Sequence, residues 1–100
     1  MASQLEYHDE NGRLQVFQLS EKDVLIGRLS ECEIRTDDST VTRRHARVTC
    51  LEGRHRIEDL GSDNGTWVNG QRVKSRLLEP NDSIQCGRFQ LRYVVEDRSR

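Results

Sequence analysis

Apolar residues in this chain recur at every second position more often than at every third or fourth, which is strand spacing rather than helix spacing. Residues 14–19 read as a first strand, 24–27 as a second and 33–35 as a short third. Residues 47–51 alternate, turn at Glu52-Gly53, and alternate again over 55–60. Residues 66–68 and 71–73 flank Asn69-Gly70, a strong signal for a two-residue hairpin. Residues 83–86 and 89–95 complete the set across a Gly87-Arg88 turn. Ser20-Glu21-Lys22-Asp23 imitates a helix capping box, but Val24, Leu25, Ile26 and Gly27 follow it, so it reads as a turn. Pro80-Asn81-Asp82 is another turn, begun by a fixed φ. Many short strands separated by Gly, Asn and Asp predict an all-β sandwich of two mainly antiparallel sheets.

One hundred residues suit a single domain with one core. Residues 1–12 and 96–100 are polar and expected to lie loose, leaving a core of about 14–95. The hydrophobic and charged fractions are both 33%, so the core must be small and the surface strongly ionic. Sixteen basic and seventeen acidic residues give a net charge of -1, without the basic excess that general nucleic-acid binding needs. No apolar run exceeds three residues, so neither a membrane helix nor a secretory leader is expected. A cytosolic setting follows, or a nuclear one in a eukaryote.

Cys32, Cys50 and Cys86 are odd in number and far apart, with no Cys-x-x-Cys pair and no histidine at zinc-like spacing. They read as small buried strand residues in a reducing compartment, and neither a metal nor a cofactor is expected. Catalytic constellations are missing too. There is no Walker-type glycine loop and no paired carboxylates, and His45 has no nucleophile with an evident partner. The expectation is a binding module rather than an enzyme.

The chemistry that remains is that of an anion grip. Arg28 follows Gly27 at the end of an apolar strand, so its planar fork of donors should project from the rim of the sandwich. Thr42 supplies a hydroxyl in Thr42-Arg43-Arg44-His45, beside a second guanidinium from Arg43. Asn64, in Gly61-Ser62-Asp63-Asn64-Gly65, offers both a donor and an acceptor, as an extended peptide backbone requires. Gly65 permits the tight loop. Asp63 places a carboxylate close by, where it would either repel a phosphate or select a basic residue on the ligand. Trp67 reads as a core plug behind this loop. Asn69 reads first as a turn residue, with a ligand contact as the second reading.

The order and spacing of these three segments resemble the forkhead-associated (FHA) domain family over residues of about 24–95. The resemblance implies a sandwich with its binding loops at one end and its termini close together at the other, suited to a module within a longer multidomain protein. It implies phosphothreonine-containing proteins, the products of Ser/Thr kinases, as partners. Arg28, Thr42 and Arg43 would hold the phosphate, and Asn64 and Gly65 the peptide main chain. Gly27, His45 and Trp67 would support the loops. Phosphothreonine would be preferred over phosphoserine, and the +3 residue would be read. The family usually has Ser at the Thr42 position and often a neutral residue at Asp63. Those departures keep open an alternative, a phosphate-independent protein-interaction domain using a sheet face.

Overall fold

The computed structural model describes residues 2–96, and period-two alternation is what organises them. Eleven strands follow in order: β1 (Ala2–His8), β2 (Leu14–Gln18), β3 (Val24–Gly27), β4 (Ile34–Arg35), β5 (Ala46–Leu51), β6 (Arg54–Asp59), β7 (Thr66–Val68), β8 (Gln71–Val73), β9 (Ser75–Leu77), β10 (Ser83–Cys86) and β11 (Phe89–Glu96). They form a six-stranded sheet in the order β2-β1-β11-β10-β7-β8 and a five-stranded sheet in the order β4-β3-β5-β6-β9. Every pairing among them is antiparallel except β3 with β4. The core lies between the sheets. Ile26, Ile34 and Ile57 from one sheet and Leu5, Val68 and Ile84 from the other are all fully buried. Each such side chain contributes about 1.5–3 kcal/mol relative to exposure.

The predicted sandwich therefore stands, with corrections in detail. The segment 1–12, expected to be loose, contains β1, which sits inside the larger sheet between β2 and β11. Leu5 turns inward, while Gln4 and Glu6 face outward and hydrogen-bond to each other at 2.7 Å. Polar side chains on a solvated face do not keep a strand out of a sheet. Glu96, expected to lie loose with 97–100, belongs to β11; residues 97–100 and Met1 lie outside the described residues. β9 was not anticipated either, because Ser75-Arg76-Leu77 carries no apolar alternation.

Trp67 is not a core plug. Its neighbours Thr66 and Val68 point inward and are buried, so the indole takes the outer face and stays half-exposed. Of the cysteines, Cys86 is a buried strand residue, Cys32 is buried in the loop before β4, and Cys50 is half-buried on β5. All three thiols are free. Burial and, after it, the charge of Asp59 push the Cys86 thiol up to about 12, so it is an unreactive thiol at neutral pH. At the far end of the sandwich the buried His55 ring lies 3.0 Å from Tyr93 Oη and 3.2 Å from the Ser20 carbonyl, joining the two sheets.

Candidate functional site

Three connections meet at one end of the sandwich. The first leaves β3 at Arg28, and its backbone is stitched to the second: the N–H groups of Arg28 and Leu29 donate to the Arg43 carbonyl at 3.0 and 3.3 Å. That carbonyl passes so close to Gly27 that any Cβ there would overlap it, which explains the glycine before the arginine. Arg28 itself is exposed. Its Nε donates to the Val41 carbonyl at 2.7 Å, which fixes the guanidinium plane and directs the two terminal nitrogens outward.

The second connection, between β4 and β5, is built around side-chain caps. Asp38 accepts from both the N–H and the hydroxyl of Thr40, at 2.8 and 2.6 Å. Those bonds hold its carboxyl below the usual range. Thr40 Oγ1 accepts in turn from the N–H of Arg88 at 2.8 Å, so the turn between β10 and β11 braces this loop. Further on, the fully buried His45 determines where Thr42 sits. The Thr42 N–H can only donate, so Nδ1 of His45 accepts it, at 3.1 Å. The ring proton therefore lies on Nε2 and is donated to the Gly65 carbonyl at 2.8 Å. One imidazole thus bridges the second and third connections.

The third connection, between β6 and β7, wraps around Asp59, a residue the sequence reading did not single out. Its Oδ2 accepts the N–H groups of Gly61 and Ser62 at 3.1 Å each, and its Oδ1 accepts the hydroxyls of Ser62 at 2.5 Å and Thr66 at 2.7 Å. Burial, the largest single influence, works to raise the Asp59 pKa. The hydrogen bonds from Ser62, Thr66 and Gly61 together outweigh it and leave the carboxyl below its ordinary value. An Asp followed at three and seven positions by hydroxyl residues was the signal available for this.

The result is an open cavity of about 220 Å³ bordered by Arg28, Thr42, Arg43, Asp63 and Asn64, with Ser39, Thr40 and Val41 completing its lining. Five residues singled out from sequence, on three separate connections, therefore converge. Thr42 Oγ1 accepts the Asp63 N–H at 3.1 Å, which leaves the hydroxyl proton free to point into the cavity. Asn64 Nδ2 donates to the Thr40 carbonyl at 2.7 Å, and its Oδ1 remains available as an acceptor. Trp67 supports this arrangement from outside the core, its indole N–H donating to the Asn64 carbonyl at 3.1 Å. Among the described residues no carboxylate forms an ion pair with Arg28 or Arg43, whereas Arg44 is bound to Glu31 at 2.7 Å. Two cations, one of them held in place by the Val41 carbonyl, beside a free hydroxyl and a carboxamide in a cavity that also holds the Asp63 carboxylate, suit an anion carried on an extended backbone.

Two expected contacts are not part of this cavity. Gly65 is buried, its N–H bound to Ser62 Oγ at 2.9 Å and its carbonyl to His45, so its backbone serves the loop. Asn69 sits at the other end of β7, where its amide donates to Asp82 at 2.9 Å and accepts from the Ser83 N–H at 3.0 Å. It is the turn residue of the first reading.

Comparison with known proteins gives this geometry a context. A family model described as FHA domain matches residues 24–87. The chain is 41% identical over 79 residues to the oxoglutarate dehydrogenase inhibitor of Corynebacterium efficiens, covering 79% of this chain and 56% of that one. It is 37% identical over 83 residues to the glycogen accumulation regulator GarA of Mycolicibacterium smegmatis, covering 83% of this chain and 52% of that protein. The chain thus spans about half the length of the curated relatives it matches. Among solved structures it is similar to a chain from a structural and functional study of phosphothreonine-dependent FHA domain interactions, with a TM-score of 0.87 and 30% identity over 97% of this chain and 99% of that one. It is also similar to the FhaA FHA domain complexed with the intracellular domain of Rv3910, with a TM-score of 0.81 and 32% identity over 91% and 98% of the two chains.

Proposed function

The chain belongs to the FHA domain family, and we propose on that basis that it binds phosphothreonine-containing protein segments through the rim cavity. The observation that carries the reading is the convergence of Arg28, Thr42, Arg43 and Asn64 on one opening, with neither guanidinium paired to a carboxylate among the described residues. Arg28, Thr42 and Arg43 donate to the phosphate. Asn64 accepts a main-chain N–H of the peptide through its free Oδ1. Hydrogen bonds to charged groups contribute roughly 1.5–3 kcal/mol each, so the three phosphate donors supply about 4–9 kcal/mol before ordering costs. Binding therefore depends on phosphorylation. The module acts in the cytosol by holding a kinase product in place, as a non-catalytic regulator; the relatives named as an enzyme inhibitor and an accumulation regulator support the regulatory role.

Calorimetric titration of matched phosphothreonine and unphosphorylated peptides tests the reading. The phosphorylated peptide should bind and its counterpart should not, and Arg28→Ala should weaken binding by roughly tenfold to more than a hundredfold. Equal binding of both peptides, insensitive to Arg28→Ala, would favour instead a phosphate-independent contact through a sheet face.

A further inference from the structure

The outer edge of the larger sheet is built differently from the other three edges. β4 carries Arg35, β8 carries Arg72 and β9 carries Arg76, and a charged side chain is a common guard against edge-to-edge pairing. β2, Leu14-Gln15-Val16-Phe17-Gln18, has no charge, no proline and no glycine. Leu14 is 55% exposed and Val16 46%, two of the three exposed large hydrophobic residues among those described. Uncharged segments of high β propensity on an open edge are the kind that recruit another strand.

The register on β1 shows which backbone groups are open. Asp9 N–H donates to the Arg13 carbonyl and Leu19 N–H to the Ser3 carbonyl, both at 2.9 Å. In an antiparallel ladder hydrogen-bonded pairs alternate with non-bonded ones, so Gln15 with Tyr7 and Phe17 with Leu5 are the bonded pairs between them. The N–H and C=O groups of Leu14, Val16 and Gln18 consequently point away from the sheet. These three residues are symmetric about Val16.

We propose that β2 is a self-pairing edge, through which two copies of this chain join by antiparallel pairing about a two-fold axis at Val16. In that register Val16 bonds to the Val16 of the other copy, and Leu14 bonds to its Gln18 in both directions. Each of the three pairs exchanges two backbone bonds, so every outward group of β2 is satisfied. Side chains agree with the register. Leu14 meets Gln18, Val16 meets Val16, and Gln15 meets Phe17 on the inner face, so no like charges are opposed. The two six-stranded sheets become one continuous sheet. Because the paired strands run antiparallel, the two rim cavities face opposite ends of the assembly. One dimer can then hold two separate ligands without competition between its sites.

Sedimentation velocity on the 100-residue chain, from low to high micromolar, tests the pairing. The wild type should show a monomer–dimer equilibrium. Val16→Lys and Val16→Glu, which place like charges on the axis, should each weaken it roughly tenfold or more. An equimolar mixture of the two variants should recover the dimer. Hydrogen exchange gives a residue-level readout: amides of Leu14, Val16 and Gln18 should slow as concentration rises, while Gln15 and Phe17 stay protected throughout. Phosphopeptide affinity per chain should be the same in both variants, since β2 borders no part of the rim cavity. A wild type that remains monomeric with those three amides exchanging freely overturns the proposal. So does a dimer that survives Val16→Lys, or protection of those amides that needs a different protein.

Discussion

The dipeptide Asn-Gly occurs three times, and the two copies at the two ends of the three-residue strand β7 have opposite fates. Asn69-Gly70 is a hairpin turn with both residues at positive φ, 51° and 83°, and the amide of Asn69 is consumed by Asp82 and Ser83. Asn64-Gly65 is a loop tip in which Gly65 alone has positive φ, 86°. There Asn64 keeps an unused acceptor and borders the rim cavity. Local sequence is the same, so the difference comes from what supplies the surrounding hydrogen bonds. At the far end, partners downstream in the chain take up the asparagine. At the rim, Asp59 and His45 take up the backbone around it and leave the asparagine side chain to face outward.

The contrast breaks most completely at Asp59. Asp59→Asn should cost roughly 3 kcal/mol by urea unfolding at neutral pH, since several loop donors lose a charged acceptor. The folded carboxyl titrates below its unfolded value, so its contribution is complete above the ordinary carboxylate range. As pH falls through the lowered value that contribution is lost, and the gap between wild type and variant should close. A gap that widens in acid would contradict this account of the loop.

The glycines give the next largest difference. A Cβ at Gly65 would sit 2.6 Å from Arg72 Nε in addition to its unfavourable φ, whereas a Cβ at Gly70 meets nothing within 4 Å. Gly65→Ala should therefore destabilise by about 2 kcal/mol and Gly70→Ala by about 1 kcal/mol, read as a difference in thermal midpoint. Equal shifts would mean that Arg72 swings away without cost.

Exchanging the asparagines sharpens the comparison. Asn64→Ala should weaken phosphopeptide binding by about tenfold with a modest loss of stability, while Asn69→Ala should lower stability by roughly 1 kcal/mol and leave affinity unchanged. Binding that responds equally to both would show that the two turns are not functionally distinct. The smallest effect belongs to Asp63. Removing its exposed carboxylate from beside a ligand charged about -1.5 to -2, as Asp63→Asn, should tighten binding roughly two- to fivefold at low salt and less at high salt. Weaker binding would instead mean that Asp63 contacts a basic residue of the ligand.

Most strands were legible because their apolar residues alternate between glycine or asparagine turns. β1 was harder, since Gln4, Glu6 and His8 on its solvated face outweigh Leu5 and Tyr7 in any average over the segment. Trp67 was misplaced by weighing its size over its register: between two inward residues, period two already puts it outside. The residues of the rim cavity were legible through their spacing, but their division of labour was not. Which asparagine is free depends on Asp82 and Ser83, and what orders the third connection depends on an aspartate in the preceding strand. The first relation is not local in the chain; the second is, but nothing in the strand itself marks its last residue as the acceptor for the loop that follows.

His45 makes the two connections it spans behave as a single part. Both ring nitrogens are committed to backbone groups, one as acceptor and one as donor, so the ring has a handedness that a symmetric replacement could not reproduce. Loss of either bond would uncouple Thr42 from the loop that carries Asn64. The hydroxyl and the carboxamide would then drift out of step, and the grip would slacken while both sheets remained intact.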